Sequence, residues 1–382
     1  MPMNGSNRDC FADAGGKLGF GCMRLPLKDG EVDLACFTEM TDAFLDAGFR
    51  YFDTAHGYLD GKSETALRAA LTSRYPRESY VLTNKLTGGF FRTEADIRPL
   101  FEEQLRCCGV EYFDFYLMHA QSSGNYEKYR KCRAYETAFE LKKEGRIRHV
   151  GISFHDTAEV LDRILTDYPQ LETVQIQFNY IDYEDPMTEG RKCYEICRKH
   201  GKPIIVMEPV KGGTLAQLPE DAAAVFHALG SASAASYALR YAAGFPQNRM
   251  ILSGMSDPAQ MRENIALMRN FRPLDEAERA AVSKVCRIFR SKNLIACTSC
   301  RYCTAGCPAK ISIPDLFSCM NTRRLYRVNT AGFYYENVYT VGHGKASDCI
   351  RCGKCEAVCP QHLPIRSLLE GVAAEFEAGE EA

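Results

Sequence analysis

Neither sign of charge dominates this 382-residue chain: 47 Lys and Arg stand against 49 Asp and Glu, a formal net charge of −2. Without a basic surplus there is little to draw a nucleic-acid backbone, so nucleic acid is not an expected partner. Long apolar runs are missing too. None approaches the roughly 18 apolar residues that a helix needs to cross a bilayer, and no membrane partner is expected. The segment from Met1 to Asp9 has no apolar core of the kind a secretory leader carries, so a cytoplasmic location is expected. Nor is there a long stretch poor in apolar residues. With 46% of residues hydrophobic and 25% charged, the composition is that of globular domains and excludes extensive disorder. At about 150 residues per domain, the length suits two or three of them.

Cysteine is what the chain has in excess, with 18. In a reducing compartment such thiols are metal ligands or core residues more often than disulfides. Ahead of the densest group, eight short β-rich runs alternate with segments of helical period bounded by Gly or Pro. The runs are Leu18 to Leu25, Tyr51 to Ala55, Tyr80 to Lys85, Phe113 to His119, His149 to Phe154, Thr173 to Phe178, Pro203 to Pro209 and Met250 to Met255. Segments such as Asp33 to Gly48, Thr93 to Gly109, Tyr129 to Gly145 and Met187 to Gly201 read as helices between them. Eight strand–helix units without a glycine fingerprint after the first strand predict an α/β chain with a (β/α)8 TIM barrel rather than a doubly wound sheet. Asp53, Lys85, His119, Ser153 and Gln175 stand near the C-terminal ends of five strands. Any one of them could be a satisfied core polar group, but five at equivalent ends point to a site.

Past Pro273 comes a helix, Asp275 to Arg290, and then a segment with few strand signals and eight spaced cysteines. The barrel is assigned to 1–285 and a small, mainly helical ferredoxin-like domain to 286–382. Its two halves repeat: Cys297, Cys300, Cys303 and Cys307, followed by Pro308, each have a partner 52 positions later in Cys349, Cys352, Cys355 and Cys359, followed by Pro360. C-x2-C-x2-C-x3-C-P, twice, is the run bacterial-type ferredoxins use for two [4Fe-4S] clusters, the fourth cysteine of each run ligating the other cluster. By that crossing rule one cluster takes Cys297, Cys300, Cys303 and Cys359, and the other Cys349, Cys352, Cys355 and Cys307. Zinc, held by paired C-x2-C ligands, does not require three thiolates at such spacing. The remaining ten cysteines, Cys22, Cys107, Cys108, Cys193, Cys197 and Cys319 among them, read as small buried thiols.

Gly19-Phe20-Gly21-Cys22-Met23-Arg24-Leu25-Pro26, the run Phe52-Asp53-Thr54-Ala55-His56-Gly57-Tyr58 with its D-T-A-x-x-Y pattern, Thr83-Asn84-Lys85 and Leu117-Met118-His119 together resemble the aldo-keto reductase superfamily over about residues 17 to 270. The whole chain is similar to its subfamily with a C-terminal ferredoxin-type domain. The resemblance implies a catalytic tetrad of Asp53, Tyr58, Lys85 and His119, acting on a small carbonyl or alcohol. Tyr58 would be the proton donor, Lys85 the cation that favours its phenolate, Asp53 the counter-charge to Lys85, and His119 the group that orients the substrate. It also implies NAD(P)(H). Ser153 and Gln175 match positions that hold the carboxamide. Met207 stands where a tyrosine commonly stacks on the ring, and Phe154 where an Asn is usual. Gly254, Met255, Glu263 and Asn264 fall in the adenosine-binding region. The cations many members place on the 2′-phosphate are Gly254 and Gln260 here, leaving Arg262 as the one nearby replacement, so preference for NADP over NAD loses its usual basis.

Four readings of the function stay open at this level. A nicotinamide moves two electrons as hydride and a cubane moves one, and no flavin site that could split the pair is apparent. Either the barrel is a nicotinamide oxidoreductase with clusters that are structural, or the clusters feed electrons singly to a substrate without nicotinamide. A redox-neutral dehydratase or lyase would use Tyr58 and Lys85 as acid and base. A non-enzymatic electron carrier or redox sensor would use the barrel as a docking surface. An external electron donor or acceptor protein is a possible partner in these readings. The aromatic stretch from Ser318 to Lys345, with Tyr326, Phe333, Tyr334, Tyr335 and Tyr339, is a candidate cover for the barrel mouth or core between domains.

Overall fold

The computed structural model describes residues 9–185, 188–230, 232–326 and 330–377. Residues 1–8, and Met187 at the start of the helix expected over Met187 to Gly201, lie outside the described residues, as do the side chains of Tyr326 and Phe333. The chain divides into two compact units, Met1–Pro209 with Ala238–Leu274, and Val210–Tyr237 with Asp275–Ala382. A helix, Glu276–Ser291, begins just after that division and runs across the 285/286 boundary proposed from sequence. Asp275 caps it and Glu278 returns the bond to the Asp275 N–H, a reciprocal capping box.

The first unit is a closed barrel of eight parallel strands: β1 (Leu18–Gly21), β2 (Tyr51–Asp53), β3 (Val81–Leu86), β4 (Phe113–Gln121), β5 (Ile147–Phe154), β6 (Thr173–Gln177), β7 (Ile204–Met207) and β8 (Asn248–Ser253). Each strand pairs with its successor, and β1 against β8, with Gly19 opposite Leu252, closes the ring. Every expected strand is present, with ends that shift: β4 and β5 run two residues longer than expected, β3 and β8 slide by one or two, and the rest are shorter. The first was read to Leu25 but stops at Gly21. A two-residue-per-strand hairpin follows, turning at Asp29 and Gly30, both with positive φ, as an Asp-Gly hairpin turn requires. The segment Tyr129 to Gly145 is two helices, Tyr126–Lys131 and Ala134–Lys143, because Arg133 between them is left-handed at φ 51°.

Apolar side chains fill the barrel, with Tyr51, Val81, Phe115, Leu117, Ile205, Met250 and Leu252 in one cluster that Phe11 also joins. Phe11 stacks on Phe115 at 5.0 Å between ring centroids. Close packing decides Gly19: a Cβ there would stand 2.7 Å from Leu252 and 3.0 Å from Tyr51. Burying aromatics of this size contributes roughly 1.5–3 kcal/mol each to the closed sheet.

In the second unit, helices Ile313–Tyr326 and Ile365–Phe376 share a core of Ile313, Leu316, Phe317, Ile365, Leu369 and Val372. Tyr335 belongs to that core, stacked on Phe376 at 4.9 Å with its hydroxyl accepting the Ala346 N–H. The 52-residue repeat extends to the backbone. Ser299 and Arg351 (φ 54° and 58°), Arg301 and Gly353 (64° and 74°), and Lys310 and His362 (52° and 50°) are left-handed in matching pairs.

Candidate functional site

Two strands and the loop between them meet at one ammonium group. Lys85, fully buried near the end of β3, donates to Asp53 Oδ1 at 2.6 Å, to the Thr54 carbonyl at 2.8 Å and to Tyr58 Oη at 3.2 Å. Those are three acceptors for three ammonium protons. Gln175, from β6, donates to the other Asp53 oxygen at 3.1 Å. Tyr58 lies on the loop after β2, where Leu59, Asp60 and Gly61 all have positive φ, a conformation that is strained for the two non-glycine residues. Its backbone N–H meets the Ala55 carbonyl, and the loop is pinned through Thr54 and Ser63 hydroxyls to the Cys22 carbonyl. His119, from β4, sets its ring edge-on to Tyr58 at 5.9 Å and bonds Thr87 Oγ1 through Nδ1 at 2.7 Å. The four side chains share one small volume.

Burial governs the protonation states. It drives the Tyr58 phenol well above its ordinary value, with the Asp53 carboxylate adding to the effect and the Arg24 guanidinium opposing it. The adjacent ammonium was expected to make this phenol acidic; desolvation, with the Asp53 carboxylate adding to it, sets the opposite direction in the folded chain. His119 is held well below the usual imidazole range by burial first and then by Lys85, so its ring is neutral. Burial raises Asp53 as well, against the pull of Lys85.

Two residues beside Tyr58 were not singled out from sequence. Arg24, in the loop after β1, meets Glu208 at 3.2 Å, just past β7, and both bear on the phenol with opposite sign. Asn84 and Gln104 were also missed. Asn84 Oδ1 accepts the Lys85 N–H at 2.8 Å, Gln104 donates to the Lys85 carbonyl at 2.9 Å, and buried Glu64 accepts from Asn84 at 2.7 Å. Asn84 and Arg24 were inside recognised motifs, but only packing shows what they touch.

In the second unit, a small cavity of about 20 Å³ is lined by Cys307, Cys349, Cys352 and Cys355, with Ile311, Ile313, Ile350 and Leu369 around them. Cys303 has Cys300, Cys297 and Cys359 as its electrostatic neighbours; burial first, then those thiols, push it up to about 12. The eight thiols thus fall into the two crossed sets. Among the described residues no three His, Cys, Asp or Glu side chains converge on a point fit for a single ion. Thiols ringing an apolar cavity suit a polynuclear cluster. Outside these sets, Cys22, Cys108, Cys193, Cys197 and Cys319 are buried, while Cys107 is only half-buried.

Residues 17–287 match the model of the aldo/keto reductase family. The chain belongs to this family. Residues 296–363 match a 4Fe-4S dicluster domain. Among curated relatives, the aldo/keto reductase chain is 26% identical over 208 residues to an NADH-specific methylglyoxal reductase of Escherichia coli, covering 50% of this chain and 61% of that protein. It is 24% identical over 297 residues to an uncharacterized oxidoreductase of Bacillus subtilis, covering 69% and 90%. Thus for the Escherichia coli relative the match spans about three-fifths of its length. The fold is that of an aldo-keto reductase from Bacillus halodurans in its holo form, with TM-score 0.58, 24% identity and coverage of 70% and 91%. An aldo-keto reductase from Klebsiella pneumoniae in complex with NADPH has TM-score 0.57, 22% identity and coverage of 70% and 90%.

The residues expected at a nicotinamide are placed around the same barrel end. Ser153 Oγ accepts the Ala120 N–H at 2.7 Å, which leaves its own hydroxyl proton for another acceptor. Gln175 has its amide N–H on Asp53. Met207 ends β7, half-buried; Gly254 is exposed and Met255 buried just past β8. Asn264 donates to Ser253 at 3.1 Å and so ties helix Pro258–Arg269 to β8. Glu263 is exposed, and Arg262 lies 3.9 Å from Glu39.

Proposed function

We propose that this aldo/keto reductase is an oxidoreductase that interconverts a small carbonyl compound and its alcohol, with Tyr58 as proton donor. The observation that carries the reading is the buried Lys85 ammonium joined at once to Asp53 and Tyr58, beside a neutral His119. Nicotinamide, when bound, supplies the hydride. Ser153 and Gln175 would hold its carboxamide, Met207 its ring, and Gly254, Met255, Glu263 and Asn264 its adenosine end.

The chain's own groups account for the proton. A phenol with a high pKa stays protonated at neutral pH and is ready to give its proton to a carbonyl oxygen that becomes basic as carbon is reduced. The phenolate left behind sits 3.2 Å from Lys85, so the charge appears where a cation already waits and no solvent needs to reorganise. If the Thr87 hydroxyl donates to His119 Nδ1, the neutral ring carries its proton on Nε2 and can donate to the substrate oxygen. The lack of cations at Gly254 and Gln260, and the pairing of Arg262 with Glu39, support NADH over NADPH. An NADH-specific relative agrees with that preference.

The crossed thiol sets support two [4Fe-4S] clusters, one on Cys297, Cys300, Cys303 and Cys359 and one on Cys307, Cys349, Cys352 and Cys355. The test is Tyr58→Phe in anaerobically purified protein. Carbonyl reduction should fall by a factor on the order of 10²–10⁴, the usual share of a positioned acid, with the cluster spectrum unchanged. Retained activity would refute the assignment.

A further inference from the structure

The repeat supplies an internal comparison between the two cysteine loops. In the first, Thr298 is 4% exposed, and the turn Lys211–Gly213 lies on it: a Cβ on Gly212 (φ 60°) would stand 3.0 Å from the Thr298 carbonyl. Its counterpart 52 positions on is Ile350, 68% exposed. Gly306 is matched by Val358, 51% exposed, and half-buried Cys300 by exposed Cys352. The second loop is therefore the more exposed at two positions: Thr298 is buried and Cys300 half-buried where Ile350 and Cys352 are exposed, while Ser299, Tyr302 and Gly306 are exposed like Arg351, Lys354 and Val358.

Charge gives the patch a sign. Arg351 pairs with Glu370, and Arg366 with Glu356 at 2.6 Å, so these cancel. Lys354, lining the four-thiol cavity, and Lys310, three residues past Cys307, are exposed and have no carboxylate partner among the described residues. Asp348, with its carboxylate on the Lys345 backbone N–H, brings one negative charge to the start of this loop. The face is apolar at its centre and positive at its rim, the pattern of a small transient interface.

We propose that this face, centred on Ile350 and Cys352, is where an external one-electron carrier with an acidic surface docks. One electron leaves the reduced carrier, which is oxidised, and enters the cluster held by Cys307, Cys349, Cys352 and Cys355, which is reduced; no proton or bond is involved. In the loop carrying Cys297 and Cys300 the position of Ile350 is taken by buried Thr298, and that loop takes no carrier.

The experiment follows cluster bleaching in anaerobic, cluster-loaded full-length protein mixed in a stopped-flow with a reduced plant-type [2Fe-2S] ferredoxin as the acidic probe. Ile350→Asp and Lys354→Glu should each lower the second-order rate constant roughly tenfold at low salt, and the parent rate should fall steeply as ionic strength rises. Tyr302→Asp, at the position equivalent to Lys354 in the loop carrying Cys297 and Cys300, should leave it unchanged. Reduction by dithionite and the electron paramagnetic resonance spectrum should be the same in all four proteins, which separates docking from loss of the cluster. A zero-length carbodiimide cross-link should map to Lys354 or Lys310. Equal carrier rates in parent, Ile350→Asp and Lys354→Glu would overturn the proposal, as would a rate loss confined to Tyr302→Asp. So would a change of oligomeric state as the sole effect of Ile350→Asp. None of these outcomes depends on the role of Tyr58.

Discussion

Replacing Lys85 by Met removes the cation from a carboxylate that has nowhere to go. Asp53 is 3% exposed, and its partners are the ammonium at 2.6 Å and the Gln175 amide at 3.1 Å. Without Lys85 one neutral hydrogen bond remains for a full buried charge. Breaking such a pair from one side costs roughly 3–5 kcal/mol, whereas removing both charges together is often nearly neutral. The Lys85→Met barrel should therefore be about 3 kcal/mol or more less stable at pH 8, and Asp53→Asn added to it should recover most of that loss. The sign with pH follows from Asp53. Its folded pKa, already raised by burial, rises further without the ammonium. A carboxyl whose folded pKa exceeds its unfolded value of about 3.9 destabilises the fold increasingly as pH climbs from the lower value to the higher. The variant's deficit should thus shrink toward pH 5. Anaerobic urea titration of the full-length holoprotein, followed by far-ultraviolet circular dichroism at both pH values, measures this. A deficit under about 1 kcal/mol, or an Asp53→Asn change that adds its own loss, would refute a desolvated ion pair here.

Carbonyl reduction should show no loss attributable to Tyr58 between about pH 6 and 9, because its phenol is held well above ordinary tyrosine, while alcohol oxidation, which needs the phenolate, should climb with pH throughout; a pH-rate series in each direction checks both. No acid limb should appear near the usual imidazole value of about 6.5, since His119 titrates well below it, and an inflection there that vanishes in His119→Gln would contradict the burial argument. Cys352→Ala should lower bound iron from about eight to about four per chain, with Cys297→Ala doing the same through the other set, as an iron and sulfide assay would read. NADPH should bind no more tightly than NADH in a fluorescence titration, and Arg262→Ala should change neither by more than about twofold, the scale of an exposed ion pair.

Periodicity alone placed all eight strands, because a parallel strand buried on both faces must be a short apolar run and a crossover helix must separate it from the next. The cysteine sets were equally legible, since ligand spacing along a tight loop dictates which thiols can wrap one cubane. What periodicity missed was short or local: the Leu27–Val32 hairpin, with two residues per strand, carries too few positions for a pattern, and a single left-handed Arg133 splits a helix whose apolar spacing runs straight through it.

The residues that meet around the Lys85 ammonium could be named from the chain, since Asp53, Tyr58, Lys85 and His119 stand in motifs readable one after another. Their chemical state could not. Whether Lys85 acidifies Tyr58 depends on how closely Asp53 neutralises it and how much water reaches the phenol, and those are distances and burial that arise only when β2, β3 and β4 close into a ring. Likewise the repeat made the two cysteine loops equal in sequence spacing, and the tertiary structure made them unequal. Packing of a distant turn covers Thr298 and leaves Ile350 in water, a difference that follows from which segments meet in space and not from their order along the chain.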